Sequence, residues 1–77
     1  MNDSITDVMI HTRKRLSDVE FDELAAKVYA EEGIVSLSRN VHTPRFLMVV
    51  YNAAKIGAGH ILQTVTGQGY RAALVGL

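Results

Sequence analysis

The period of the hydrophobic pattern changes repeatedly along this chain, and this restricts its fold more than any other feature. At the start, apolar Val8 and Ile10 alternate with other residues at the two-residue period of a half-buried strand. Phe21, Leu24 and Val28 then follow the spacing of one helix face. The predicted elements, in order, are a strand over residues 5–12, a helix over 18–32, strands over 34–38 and 46–51, a helix over 58–66 and a strand over 70–75.

The start of the first predicted helix carries the most specific local signal. Ser17 and Glu20 have the spacing of a capping box, in which each side chain binds the backbone N–H of the other residue. Leu16 and Phe21 stand where a hydrophobic staple would place them. This boundary makes the order strand, helix, strand, strand, helix, strand. We therefore expect one α+β domain over residues 1–77, a ferredoxin-like βαββαβ sandwich with four antiparallel strands and two helices on one face.

Composition excludes several classes of protein. Eight basic and eight acidic residues balance to a formal net charge of zero, whereas a nucleic-acid binder usually has a basic excess. No apolar run is long enough to span a membrane, and the polar start, Met1 to Ser4, is unlike a signal peptide. We expect a cytoplasmic protein with no membrane partner. The chain has no cysteine, so no disulfide or thiolate-bound metal can stabilise it, and no catalytic constellation indicates an enzyme.

Three short stretches resemble the heavy-metal-associated (HMA) domain family. Val49-Val50-Tyr51-Asn52 resembles the end of a strand in that family, and residues 68–74, Gln-Gly-Tyr-Arg-Ala-Ala-Leu, resemble its Gly-Tyr and closing strand. Gly33-Ile34 resembles the Gly-Val after the first HMA helix. The resemblance covers nearly the whole chain. It implies the ferredoxin-like fold and a role linked to heavy metals, chiefly copper.

The resemblance ends at the metal-binding residues. HMA domains bind copper or other soft metals through a Cys-x-x-Cys motif between the first strand and the first helix. Counting back from Gly33 places those two cysteine positions at Leu16 and Val19, and residues 13–15 before them are all basic. Hydrocarbon supplies no ligand, and positive charge repels a metal ion. The resemblance therefore implies a non-enzymatic HMA-like binding protein, which acts by protein–protein contact or by weak metal binding without thiolates.

Histidines are the remaining candidate metal ligands. Imidazole suits copper, zinc or nickel, and Met9 or Met48 would add a soft ligand. The predicted topology places His11 and His42 at one end of the sheet and His60 at the other, so His11 and His42 are the candidate site. No cofactor is required by the sequence, and a copper or zinc ion is the one that this pair would accept. Isolated surface histidines without a ligand are the alternative.

Basic residues gather in the loops at the same end of the predicted sheet. A positive end can hold a phosphate, a nucleotide or an acidic partner. Acids at the start of the first helix would neutralise part of this charge, so an ordinary solvated surface is the alternative. The predicted anion- or partner-binding residues are Arg13, Lys14, Arg15, Arg39 and Arg45, with Arg71 nearby.

One face of the predicted sheet has no cover. The residues expected to face the helices are Val8, Ile10, Val35, Leu37, Leu47, Val49 and Tyr51. With His11, the residues expected on the other face form an apolar patch: Met9, Phe46, Met48, Val50, Ala73 and Val75.

Monomeric proteins seldom expose apolar patches of this kind. We therefore expect a homodimer through the sheet face or docking on another protein, with a scattered apolar surface as the alternative. A second hypothesis for function combines these features in a dimeric regulatory domain that binds an anionic ligand or acidic partner at its basic end. RNA binding is less favoured, because Phe46 lacks a paired aromatic residue on the central strands.

Overall fold

The structure, a computed structural model, describes residues 4–76 and has the predicted βαββαβ architecture. Its elements are β1 (Ile5–Thr12), α1 (Asp18–Tyr29), β2 (Ile34–Arg39), β3 (Phe46–Asn52), α2 (Ala58–Gly67) and β4 (Ala72–Val75). The strands form one sheet in the order β2-β3-β1-β4, and every neighbouring pair is antiparallel. The ferredoxin-like fold is thus confirmed. Within 4–76 no helix has the length and apolarity to cross a membrane. Residues 1–3 of the polar N-terminal stretch lie outside the described residues.

The capping box at the start of α1 forms as predicted. The Ser17 hydroxyl accepts a hydrogen bond from the Glu20 backbone N–H at 3.1 Å, and the Glu20 carboxylate accepts one from the Ser17 N–H at 2.8 Å. Leu16, just before the cap, is buried. These contacts fix where the chain turns from β1 into α1, because they satisfy backbone donors that a helix start leaves free.

The end of α1 comes three residues earlier than expected, at Tyr29. The chain then turns through Gly33, which has φ near +100° and so lies in the left-handed region that favours glycine. A Cβ at this position would lie 2.9 Å from the Cβ of Lys55 and 3.0 Å from Cγ2 of Ile56. Gly33 therefore meets both a conformational and a steric requirement where β2 begins.

The core lies between the helices and one face of the sheet. β3 contributes every second residue, which confirms the alternation predicted for that strand. Both helices bury one stripe of apolar side chains against it. The buried apolar residues are Val8, Ile10, Leu16, Leu24, Val28, Leu37, Leu47, Val49, Tyr51, Ile56, Ile61 and Val65.

Val35 departs from the expected core. Its side chain is 53% exposed, although we expected it to face the helices. The cause is a β-bulge: Ile34 pairs with Tyr51 and Ser36 with Val50, so Val35 is an extra residue on β2. The extra residue reverses the alternation, and the prediction for Val35 was wrong.

Within residues 4–76, no helix lies on the other face of the sheet. In the strand register, Met48 lies opposite Met9, and Met9 lies opposite Val75. In the next row His11 lies between Phe46 and Ala73. The register places on this face all six residues of the open-face patch, the name used below for Met9, Phe46, Met48, Val50, Ala73 and Val75.

Candidate functional site

Three segments of the chain meet at one end of the sheet, here called the loop end. Thr12, the buried last residue of β1, donates its hydroxyl hydrogen to the Lys14 carbonyl at 2.8 Å. Its backbone N–H donates to the carbonyl of Arg45, and the N–H of Arg13 donates to the carbonyl of Arg71, both at 2.8 Å. These bonds tie the β1–α1 loop to the β2–β3 loop and to the segment before β4. Basic residues distant in sequence are thereby brought together.

Arg39 is held against α1 and is not free for a ligand. One guanidinium nitrogen donates to the Leu16 carbonyl at 2.7 Å, and another lies 2.7 Å from the Asp18 carboxylate. The guanidinium also lies 4.7 Å from the centre of the Phe21 ring, within range of a cation–π contact. Arg39 was predicted as an anion-binding residue, but these contacts give it a structural role between β2 and α1.

Lys14 is also neutralised from the helix side. Its ammonium nitrogen lies 2.7 Å from a carboxylate oxygen of Glu20. The hydrogen bond from Lys14, followed by the bond from the backbone N–H of Ser17, lowers the pKa of Glu20 below its usual value. The same bond to Glu20 raises the pKa of Lys14. Two of the five predicted anion-binding cations therefore already have partners.

Four other arginines surround the loop end of the open face. We call Arg13, Arg15, Arg45 and Arg71 the arginine rim. All four are exposed, and within residues 4–76 none of them lies in an ion pair with a carboxylate. Their charge is therefore available to a ligand, and the rim retains three of the predicted residues together with Arg71.

Two depressions lie along the rim, and His11 lines both of them. The larger has a volume of about 400 Å³ and is lined by His11, Arg15, Thr43, Pro44, Arg45 and Phe46. The smaller has about 220 Å³ and is lined by His11, Arg13, Arg71, Ala72 and Ala73. Neither lining includes an acidic residue. Each depression thus combines two arginines with part of the open face.

The two aromatic rings of the open face form a pair. His11 on β1 lies directly opposite Phe46 on β3, and the ring centres are 4.8 Å apart with the planes tilted by 47°. The same register that builds the sheet thus sets two π surfaces side by side. We refer to His11 and Phe46 as the ring pair.

The structure does not assemble a complete metal site from the histidines. His42 lines neither depression with His11, and its backbone N–H donates to the Asn40 side chain at 2.9 Å. His60 lies elsewhere, with Nε2 3.2 Å from a Glu31 carboxylate oxygen. Within the described range, no three histidine, aspartate or glutamate side chains come together closely enough to hold a metal ion.

The positions that correspond to the HMA cysteines do not fit a soft metal either. Leu16 is only 1% exposed and belongs to the core, while Val19 exposes its isopropyl group on the first turn of α1. Neither side chain has an atom that could act as a ligand. No step of metal chemistry can be assigned to this loop.

Comparisons with known proteins agree with this architecture. No protein-family model and no curated protein matches the sequence. Among solved structures, oxidised MerP from Ralstonia metallidurans CH34 has a TM-score of 0.80 at 14% identity, covering 94% of this chain and 99% of that chain. The chain has the fold of the heavy-metal-associated domains.

Two further HMA-fold structures support the same conclusion. A copper-binding domain from HMA7, a P-type ATPase, has a TM-score of 0.79 at 11% identity, covering 91% of this chain and 93% of its own. The CsoZ metallochaperone has a TM-score of 0.75 at 16% identity, and the match covers 90% of this chain and 97% of the metallochaperone. At such identities the likeness establishes the fold, and the site must be interpreted from its own residues.

Sequence reasoning missed three residues of the loop end. Thr12 positions the basic loop, and its two-residue spacing from Ile10 was a usable sign that it points into the core. Thr43 and Pro44 line the larger depression. Nothing in the local sequence distinguishes them from ordinary turn residues, so only the folded β2–β3 loop reveals their place.

Proposed function

We propose that this HMA-fold chain is a non-enzymatic binding domain that acts by contact with a protein partner, not by carrying a metal on thiolates. The observation that carries the proposal is at the β1–α1 loop, where Leu16 is buried in the core at one cysteine position. The similar structures include a copper-binding domain and a metallochaperone. They support a role in heavy-metal, chiefly copper, homeostasis, in which this chain docks on another component.

The open-face patch is the proposed contact surface. It crosses three strands, and no part of α1 or α2 covers it. Burying about 400 Å² of such a surface would contribute on the order of 10 kcal/mol before the costs of association. A second copy of the chain is the simplest partner, because an isologous contact of two such faces covers both patches at once.

Sedimentation velocity over a range of concentrations tests this surface. Wild type should associate at high concentration, and Met48→Asp should remain monomeric, because it places a charge in the centre of the patch. Val19→Asp is the matched control, since Val19 is 67% exposed on α1, away from the sheet face. It should associate like wild type. A monomeric wild type at the highest concentration would exclude the homodimer and leave docking on a different protein.

Direct metal binding would be weak and would not involve thiolates. Titration with copper(I), copper(II) or zinc while the histidine ring resonances are recorded tests it. We expect shifts at His11 or His42 only with excess metal, because the described residues provide no third ligand beside them. Loss of those shifts in His11→Gln would assign the weak site. Stoichiometric capture of a soft metal mapped to residues 13–19 would contradict the proposal.

Anion binding at the arginine rim is the second candidate function. The observation that favours it is that two depressions each contain two arginines and no acidic residue. Such a surface attracts anions, and the attraction falls as salt is added. In a dimeric regulatory domain this rim would be the ligand-binding part.

A further inference from the structure

We propose that the loop end of the open face binds single-stranded nucleic acid, with bases on the ring pair and phosphates on the arginine rim. This inference deepens the anion-binding candidate, on which it rests, and it concerns the uncovered sheet face, because a protein partner on the open-face patch would cover Phe46. It assigns a ligand class to a surface on which aromatic rings, flat hydrocarbon and unneutralised arginines occur together.

The position of the ring pair is the first argument. β1 and β3 are the two central strands of the sheet, and His11 and Phe46 face each other across them. In ferredoxin-like domains that bind RNA, aromatic residues on the sheet stack two or three bases. From the sequence alone, RNA binding is less favoured, because Phe46 has no evident aromatic partner on the central strands. The strand register provides that partner in His11.

The surface beside the ring pair is suited to further bases. Met9 and Met48 form the next row on the same two strands, directly opposite each other. Their thioether chains are partly buried and offer an apolar floor next to the rings. Stacking on such a floor is tolerant of base identity, because every base has a π face. We therefore expect little sequence preference.

The charge arrangement favours a chain of phosphates over a single anion. Arg15 and Arg45 line the depression on one side of His11, and Arg13 and Arg71 line the other. If the bases of a single-stranded nucleic acid lie on the ring pair, its phosphate backbone can run from one pair of arginines to the other. An acidic peptide could neutralise the rim but would leave the rings without a stacking partner. The formal net charge of zero does not oppose phosphate binding at the rim. The ion pairs that acids of α1 form at this end involve Lys14 and Arg39, not the arginines of the rim.

Fluorescence anisotropy with the full chain and labelled oligonucleotides tests the inference. The probes are oligouridine and oligothymidine of about ten nucleotides, a length within the site size of barrels that bind single strands. We expect saturable binding at low salt. A duplex of equal length should bind more weakly, because its bases are already paired. A glutamate peptide of equal charge should also bind more weakly, because it cannot stack.

Removal of one ring separates stacking from charge. Phe46→Leu keeps the hydrocarbon on β3 and should weaken oligouridine binding about tenfold. Tyr29→Leu is the matched control, because it removes an exposed aromatic ring from α1 on the covered side of the sheet, and its affinity should match wild type. Equal affinities for Phe46→Leu and wild type would overturn the role of the ring pair.

The salt dependence tests the rim. The double variant Arg15→Ser/Arg45→Ser should reduce the slope of log affinity against log salt by about 1.4, since each phosphate contact to a single strand contributes about 0.7. Lys27→Ser/Lys55→Ser removes the same number of charges from other parts of the chain and should leave the slope unchanged.

The outcomes also separate this inference from the candidate on which it rests. If the glutamate peptide binds as tightly as oligouridine, and the rim variant weakens both equally, anion binding stands and the nucleic-acid inference is wrong. If neither probe binds the folded wild type at low salt, both are wrong.

Discussion

The two faces of the sheet are built from the same strands, but only one of them is covered by the helices. On the covered face, alternate residues of β3 such as Leu47 and Val49 are fully buried against the helices. On the open face, their neighbours Met48 and Val50 are only partly buried, and no element of the described chain lies over them. The strands thus carry apolar side chains on both faces, but only the apolar side chains of one face are buried in the core.

The charges at the loop end divide in the same way. On the helix side, Arg39 and Lys14 each have a carboxylate within 2.7 Å. On the open side, the arginine rim has no such partner among residues 4–76. Both differences are consistent with one division, in which the covered face provides stability and the open face is the surface that we propose for binding. The following predictions test that division.

Truncation of a core residue should have the largest effect. Leu47→Ala should lower the free energy of unfolding by about 3 kcal/mol, because Leu47 is fully buried and its loss leaves a cavity. Met48→Ala, one residue along β3, should cost about 1 kcal/mol or less. Urea denaturation at low protein concentration, where any dimer dissociates, measures both. Similar losses for the two variants would show that the open face is also part of the stability core.

Substitutions of two arginines at the loop end should give the next largest difference in the free energy of unfolding. Arg39→Ala should cost about 1–2 kcal/mol, from a charged hydrogen bond to a carbonyl and a cation–π contact. The pair with Asp18 adds little, because that carboxylate is almost fully exposed. Arg45→Ala should change stability by no more than about 0.5 kcal/mol. Thermal unfolding followed by circular dichroism compares them, and equal destabilisation would contradict separate roles for the two arginines.

Much of the covered face could be predicted from the sequence because its signals are local. The capping box at Ser17 and Glu20 fixes the start of α1, and alternation along β1 and β3 identifies the core residues of both strands. Arg39 could also have been placed correctly, since it lies two residues after the core residue Leu37 on β2. That parity directs it towards α1 and away from the rest of the basic cluster.

The six residues of the open-face patch could be predicted from the alternation, but the ring pair and the depressions were harder to predict because they depend on contacts between distant segments. The ring pair joins residues that are remote in sequence, and only the register of β1 against β3 brings them together. The larger depression likewise requires the folded β2–β3 loop, which contributes Thr43 and Pro44. A bulge is equally invisible to a count of alternating residues, as Val35 shows.

Acid should remove a smaller part of the stability of the loop end. The folded-state pKa of Glu20 is lowered from 4.5, chiefly by the hydrogen bond from Lys14. The ionised carboxylate therefore stabilises the fold at pH values above 4.5, and this contribution is lost as the pH falls through the folded pKa. Glu20→Gln keeps an acceptor for the Ser17 N–H but loses the charge. It should be less stable than wild type at neutral pH and equally stable in strong acid.

A double variant isolates the Lys14 contribution to that pH dependence. In a Lys14→Gln background, the effect of Glu20→Gln at neutral pH should shrink, because the charged partner is already absent. Urea denaturation of the four proteins across the acid range gives the coupling. An undiminished effect in that background would mean that Glu20 acts through the helix start alone.

Substitution of the bulge residue Val35 should have the smallest effect on stability. It also tests directly which residues of β2 belong to the covered face and which to the open face. Val35→Thr should change stability by no more than about 0.5 kcal/mol, because the side chain is exposed and threonine keeps the branched Cβ. Leu37→Thr should cost at least about 2 kcal/mol, since it buries a hydroxyl in the core. If the two variants were equally costly, Val35 would have to face the helices and the register of β2 would have to be regular. The bulge would then be absent, and Val35 in place of Ile34 would lie opposite Tyr51.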